Sequence, residues 1–144
     1  MFILDTDVLS YYSRGGYPTL TRRILATPPE HLWITIITVD ERLQGAYRLI
    51  NDIRRPDGGM GGCRLLREAM RDLSDFQILP YDSNARQIFN RLSAPVRRNG
   101  ANDCKIAAIA CTRGFTVITH NVQHFQEIQT GCSVLFEDWT VDAT

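Results

Sequence analysis

The sequence predicts an α/β protein: a three-layer α/β/α sandwich with a mainly parallel central sheet. Short runs rich in β-branched and aromatic residues alternate with segments of helical period along the whole chain. Several of the runs are apolar throughout, which is typical of strands buried on both faces of a parallel sheet. The chain has 144 residues, of which 44% are hydrophobic and 22% charged. We therefore expect one domain, residues 1–144, with a single core.

The first half of the chain predicts two strands and a helical hairpin. The strands are expected at Phe2–Leu4 and Leu32–Ile37, with two short helices between them. Thr38 and Glu41 have the spacing of a capping box, so a long helix is expected to begin there. The glycine-rich segment from 56 to 62 predicts a mobile turn into a second helix of the hairpin, residues 63–73.

The second half predicts three more strands, each separated from the next by helix. Asp82 is expected to cap one helix, and Gly114 to end another that starts at Asp103. The segment Ala94–Gly100 contains Pro95 and two arginines and predicts a basic loop. The strands are expected at Phe76–Leu79, Phe115–Thr119 and Val134–Phe136.

Asp5 is the residue whose position most needs a physical cause. It directly follows the first predicted strand, at the edge where open α/β sheets bind their ligands. A buried carboxylate without a partner is costly, so Asp5 requires a cation, a hydrogen-bond donor or water. Glu41, Asp103 and Asn121 lie at strand ends or helix starts, and we expect them at the same edge.

Three carboxylates at one edge raise one another's pKa and destabilise the fold unless a cation neutralises them. Oxygen ligands suit a hard cation, Mg²⁺ or Mn²⁺, that keeps several waters. Local structure alone can also account for each residue except Asp5. Glu41 can close a capping box, and the helix dipole favours an acid such as Asp103 in the first turn. Asp7 is typical of a helix cap, and Asn121 is typical of a turn.

Other kinds of site are less well supported. His120 and His124 lack the further ligands of a zinc site and are interpreted as loop histidines. The four cysteines form no CxxC pair and are interpreted as reduced thiols, mostly in the core. No apolar stretch is long enough for a membrane span and no signal peptide is expected, so we place the protein in the cytoplasm.

The net charge is zero, but the type of basic residue is informative. Lys105 is the only lysine among sixteen basic residues. Arginine binds phosphate in a bidentate way, although codon usage in a GC-rich genome produces the same bias. The sequence is therefore compatible with a phosphate-bearing partner and does not require one.

Five segments, in this order along the chain, resemble the PIN-domain ribonucleases, in particular the VapC-type toxins of bacterial toxin–antitoxin pairs. They are LDTDVLS at the N-terminus, ITVDERLQGA, ANDCKIAAIA, FTVITHNVQHFQEI and finally VLFEDW. The resemblance extends over essentially the whole chain and implies a PIN-like fold. It also implies Mg²⁺-dependent cleavage of single-stranded RNA by an endoribonuclease, with Mn²⁺ as a substitute metal. The implied partners are a second copy of the chain and a small antitoxin.

The resemblance assigns roles to individual residues. Asp5, Glu41 and Asp103 match the acidic metal-binding site, and Asn121 matches a fourth position that is Asp or Asn in the family. The polar residues that flank this site are Thr6, Asp7 and Thr119, where Asp7 replaces a frequent Asn. Arg97 and Arg98 precede Asp103 and are candidates to hold RNA phosphates. The hairpin on either side of the glycine-rich segment is the candidate contact for the antitoxin.

Two alternatives stay open. Asp5 and Asp7 have the spacing with which haloacid-dehalogenase-type phosphatases begin, the first Asp being the nucleophile. Such enzymes also need a strand-end Ser or Thr, a lysine and another acid pair. Thr38 or Thr119 fits the first requirement, but no acid pair follows Lys105 at a strand end. The second alternative is a PIN-like binding module without catalysis, although the three principal acids are all present.

Overall fold

A five-stranded sheet, parallel throughout, forms the centre of the computed structural model, which describes residues 1–142. The strand order is β3-β2-β1-β4-β5. The strands are β1 (Phe2–Leu4), β2 (Leu32–Thr35), β3 (Gln77–Leu79), β4 (Thr116–Ile118) and β5 (Leu135–Glu137). The helices are α1 (Thr6–Arg14), α2 (Pro18–Ala26), α3 (Ile36–Asn51), α4 (Met60–Ser74), α5 (Ser83–Arg91), α6 (Ala94–Asn99), α7 (Ala101–Arg113) and α8 (Val122–Gln129). The predicted α/β/α sandwich is confirmed; the predicted domain ends at 144, two residues beyond those described.

The core lies in two layers, one on each face of the sheet, because successive side chains of a strand point to opposite faces. Ile3 packs in the layer formed mainly by α5, α7 and α8, whereas Leu4 packs with α1 and α2. Val117 and Ile118 divide in the same way on the neighbouring strand. All four side chains are fully buried. The central strands are therefore apolar on both faces, as the sequence predicts.

The second strand is shorter than predicted. The sequence predicts an extended Leu32–Ile37, but β2 ends at Thr35 and α3 begins at Ile36. The side chain of Thr35 caps the helix by accepting a hydrogen bond of 3.3 Å from the backbone N–H of Thr38. The predicted capping box at Thr38 and Glu41 is therefore wrong, because Thr38 already lies inside the helix.

Helices α3 and α4 form the predicted hairpin, which we call the α3–α4 hairpin (residues 36–74). Part of the glycine-rich segment is helical, because α4 begins at Met60 rather than at residue 63. Gly62 is buried where a Cβ atom would collide with the backbone of Ile50, so only glycine permits this close approach of the helices. The Arg42 guanidinium joins them further by an ion pair of 2.6 Å with Asp72.

The segment Ala94–Gly100 is not the loop that the sequence predicted. Residues Ala94–Asn99 form α6, with Pro95 near its start, where proline is tolerated because that N–H has no partner within the helix. This short helix leads directly into α7 and so places Arg97 and Arg98 just before Asp103. Over residues 1–142, no helix is long and apolar enough to cross a membrane.

Candidate active site

Asp5 lies at the carboxyl end of β1, and only 3% of its surface is exposed. It is the N-cap of α1, because its carboxylate accepts a hydrogen bond of 2.8 Å from the backbone N–H of Val8. Burial raises the pKa of Asp5 to about 7, although the hydrogen bonds from Thr119 and Val8 act in the opposite direction. The nearby carboxylates of Asp103 and Asp7 raise it further. Asp5 is thus a desolvated acid in a negative surrounding, which favours a cation beside it.

Thr119, Asn121 and Asp103 continue the site from the end of the neighbouring strand β4. The buried Thr119 hydroxyl contacts Asp5 and also accepts a hydrogen bond of 3.0 Å from the backbone N–H of Asn121. The Asn121 side-chain amide in turn donates to the Asp103 carboxylate at 3.0 Å. Hydrogen bonds therefore connect two acids that are 98 residues apart in the sequence. The structure thus brings Asp5, Thr119, Asn121 and Asp103 together at one edge of the sheet.

His124 belongs to this network, although the sequence interpretation as a loop histidine missed it. It lies in α8, is 4% exposed, and places Nδ1 2.9 Å from the Asp103 carboxylate. Its Nε2 lies 3.4 Å from the backbone carbonyl oxygen of Val96 in α6. A Cβ atom at Gly100 would collide with the imidazole ring. His124 and Asn121 together fix the orientation of Asp103, as partners of metal-binding carboxylates do.

Glu41 lies in α3, where its carboxylate accepts a hydrogen bond of 2.7 Å from the Thr6 hydroxyl. Thr6 also lies 3.2 Å from the hydroxyl of Thr38. Glu41 therefore contacts the residue next to Asp5 rather than closing a capping box. Within residues 1–142, no three His, Cys, Asp or Glu side chains are grouped closely enough to hold a metal ion by themselves.

The outer predicted residues differ in their surroundings. Asp7 is exposed in the first turn of α1, so the cap of that helix is Asp5 and the prediction of Asp7 as a cap is wrong. Arg98 is exposed on α6. Arg97 is half-buried, and its guanidinium lies 5.6 Å from the centroid of the Phe89 ring. Arg98 is consequently the freer of the two arginines for an external ligand.

The donor atoms of the site fit a hard divalent cation. Asp5 and Asp103 supply carboxylate oxygens, Asn121 contacts Asp103, and Glu41 contacts Thr6, the residue next to Asp5. Mg²⁺ needs only one or two carboxylates from the protein, because water and substrate phosphate complete its octahedron. Burial makes ionisation of the Asp5 carboxyl costly, as its raised pKa indicates, and a bound divalent cation would stabilise the ionised form.

Comparison with known proteins identifies the family. The PIN domain profile matches residues 2–130 of this chain. The chain belongs to the PIN-domain family. Its sequence is 28% identical to Ribonuclease VapC1 of Haemophilus influenzae strain R2866 over 143 residues, which cover 97% of this chain and 98% of that protein. The predicted resemblance to VapC-type PIN-domain proteins is therefore confirmed over 97% of the chain.

Solved structures agree with this PIN-domain assignment. VapBC-1 from nontypeable Haemophilus influenzae superposes with a TM-score of 0.75 at 21% identity, over 97% of this chain and 98% of that one. DNA-bound VapBC from Salmonella typhimurium superposes with a TM-score of 0.74 at 25% identity, over 96% of this chain and 97% of that one.

The phosphatase alternative finds no support in these matches. Lys105, the one lysine available to it, lies 5.9 Å from the centroid of the Tyr81 ring.

Proposed function

We propose that this PIN domain is a Mg²⁺-dependent endoribonuclease that cleaves single-stranded RNA and acts as the toxin of a toxin–antitoxin pair. The observation that carries the proposal is the buried Asp5 carboxylate, which shares a hydrogen-bond network with Asp103 at one edge of a parallel sheet. A buried acid with a raised pKa beside a second acid is typical of a functional site. The similarity to Ribonuclease VapC1 supplies the reaction class.

The roles of the residues follow from their contacts. Asp5 and Asp103 would hold the metal, with Glu41 on the α3 side completing the acidic site. When bound, Mg²⁺ supplies an activated water and neutralises charge on the phosphate. Asn121 and His124 keep the Asp103 carboxylate in one orientation through bonds of 3.0 and 2.9 Å. Such orientation matters because small displacements of a catalytic group lower the rate strongly.

Arg97 and Arg98 would bind the RNA backbone beside this site. Both lie in α6, which ends directly before the helix that carries Asp103. Arg98 is exposed, whereas Arg97 is partly held against Phe89. A guanidinium binds a phosphate in a bidentate way, so one exposed arginine here supplies a contact that does not depend on base sequence.

The α3–α4 hairpin would bind the antitoxin. Exposed apolar side chains occur along it: Tyr47, Ile53, Met60 and Met70. A groove of about 390 Å³ lies along α4 beside Met70 and Leu66. Exposed apolar surface of this kind is typical of interaction sites. Two of the solved structures that this chain resembles are VapBC structures. We also infer a homodimer and a cytoplasmic location, in which the four free thiols would stay reduced.

An RNA cleavage assay tests the proposed activity. The purified chain is incubated with bulk RNA and Mg²⁺, and cleavage products are counted by sequencing of RNA ends. We expect cleavage with Mg²⁺ or Mn²⁺, none with a chelator, and none for the double variant D5N/D103N. Asp40→Asn, which removes an exposed carboxylate of α3, is the matched control and should cleave at the wild-type rate. Undiminished cleavage by D5N/D103N would rule out this site.

Co-expression tests the antitoxin interface. The chain is expressed with a candidate antitoxin, taken from any short reading frame beside its gene, and the complex is isolated through a tag on that candidate. Met70→Glu places a charge in the groove on α4 and should abolish co-purification while leaving RNA cleavage by the free chain unchanged. Retention of the complex by this variant would exclude the groove as the contact.

A further inference from the structure

Three aromatic rings from separate elements meet beside the active site. They belong to Tyr11 in α1, Tyr17 at the start of α2, and His120 after β4. The ring centroids of Tyr11 and Tyr17 are 5.0 Å apart, and His120 lies 6.0 Å from the former and 5.8 Å from the latter. We call these three residues the aromatic cluster.

The cluster lies next to the carboxylates. His120 immediately precedes Asn121, whose amide binds Asp103. Burial raises the pKa of the Tyr11 hydroxyl, and the nearby carboxylates of Asp7 and Asp5 raise it further. The Tyr11 hydroxyl therefore lies near the acids, and one ligand can contact the cluster and the acidic site together.

Both tyrosines pack against the core layer of α1 and α2, but the cluster keeps an accessible surface. The two tyrosines are half-buried and His120 is exposed, so all three keep surface in contact with solvent. The His120 ring is fixed on its other side, because Nδ1 lies 3.0 Å from the Asp138 carboxylate and 2.9 Å from the Thr140 hydroxyl. Thr140 itself bonds Asp138 at 2.6 Å. These bonds hold the imidazole in place without using its face.

We propose that the aromatic cluster is a base-binding subsite that stacks one unpaired nucleobase of the RNA next to the scissile phosphate. Unpaired bases stack on aromatic side chains, whereas paired bases are enclosed in the duplex. Such a subsite selects single-stranded RNA, because only an unstacked base can reach Tyr17 and His120 while its phosphate lies at Asp5 and Asp103. The inference rests on the proposed ribonuclease function and adds to it the part of the substrate that these rings contact.

Removal of single bases tests the subsite. A short labelled RNA that spans a site cleaved by the wild type is bound to the D5N/D103N variant, which should not cleave it, and affinity is measured by fluorescence anisotropy. Abasic nucleotides then replace each base in turn. We expect one position beside the scissile phosphate at which loss of the base weakens binding about 5- to 150-fold, the range for one base–aromatic stack.

Variants of the cluster identify which residues make that contact. In the D5N/D103N background, Tyr17→Leu should weaken binding of the intact RNA by a similar factor, and loss of the sensitive base should then weaken it no further. Tyr17→Phe keeps the ring and should bind as tightly as the protein with Tyr17. His120→Ala removes the exposed ring together with its bond to Asp138 and should show part of the same dependence on the sensitive base. Thermal unfolding checks that each variant is folded.

Four outcomes would overturn the inference. Equal effects of base removal with and without the Tyr17→Leu substitution would show that the ring does not contact the base. Unchanged RNA binding by Tyr17→Leu, together with loss of the antitoxin complex, would assign the cluster to a protein partner. If the wild type cleaves RNA and no single base matters, the subsite is refuted and the ribonuclease function stands. If the wild type neither binds nor cleaves RNA, both the subsite and the ribonuclease function are refuted.

Discussion

Replacing Asp5 by Asn should stabilise the metal-free protein while it abolishes RNA cleavage. The carboxylate is 3% exposed, and burial raises its pKa from 3.8 to about 7. Asn keeps a side-chain oxygen that accepts from the Val8 N–H, and Asn caps helices as well as Asp does. The substitution therefore removes the ionisation and leaves the cap.

The magnitude follows from the pKa. A group with a raised pKa in the folded state holds its proton more tightly there than in the unfolded chain, so the free energy of unfolding falls as the pH rises from about 4 to 7. Each tenfold change in proton affinity is worth about 1.4 kcal/mol, which sets an upper limit of about 4 kcal/mol for Asp5 above pH 7. In a chain of this size that corresponds to roughly 10 °C in Tm.

Thermal unfolding of the wild type and D5N with a chelator, at about pH 4 and at about pH 8, measures this effect. We expect similar Tm values at the lower pH and a clearly higher Tm for D5N at the higher pH. Saturating Mg²⁺ should then raise the Tm of the wild type and leave the Tm of D5N unchanged. At a Mg²⁺ concentration one hundred times Kd, the gain in the free energy of unfolding is about 2.7 kcal/mol. Parallel pH dependence of the two proteins would refute the reasoning. Asp40→Asn, at an exposed position, should follow the wild type.

Three further predictions concern the structure around the site. Gly100→Ala should displace His124 and lower the RNA cleavage rate at least about tenfold, because the added Cβ collides with the imidazole; single-turnover kinetics measures this. Arg42→Ala should lower the free energy of unfolding by about 1–3 kcal/mol in urea denaturation, since it leaves the partly buried Asp72 without its partner. Arg98→Ala should weaken RNA binding regardless of sequence and reduce the slope of log K against log salt by about 1.

Each of these changes has a matched control. Gly45→Ala lies in open space on α3 and should keep full activity. Arg22→Ala breaks an ion pair whose side chains are 71% and 82% exposed, so stability should change by less than about 1 kcal/mol. Arg54→Ala, in the turn of the α3–α4 hairpin, should leave the salt slope unchanged. If any control matches its test variant, the local cause assigned to that variant is wrong.

Local sequence signals predicted the layers and one edge of the site well. The apolar runs at Phe2–Leu4 and Phe115–Thr119 identify strands buried on both faces, and parallel pairing then brings Asp5 and Asn121 to the same edge. Asp103 at the start of a helix joins them, as expected. These features depend on period and on strand direction, both of which are visible in a single sequence.

The errors arose where two local signals compete and distant contacts decide. Thr35 and Thr38 are both good caps, and β-branched Ile36 favours a strand, yet packing of α3 selects the earlier cap. His124 resembles a polar loop residue, because its burial depends on α6, which lies nearly thirty positions earlier. One local signal does favour the helix α6 that was missed, since Pro95 is typical of a helix start.

Location of a bound metal ion tests the central claim most directly. Crystals of the wild type grown with Mn²⁺, and of D5N/D103N under the same conditions, are measured for anomalous scattering. We expect a peak in the wild type within bonding distance of the Asp5 and Asp103 carboxylates, and no peak there in the variant. A peak bound elsewhere, for example at His120 and Asp138, or none at saturating Mn²⁺, would contradict the assignment of the metal to this acidic site.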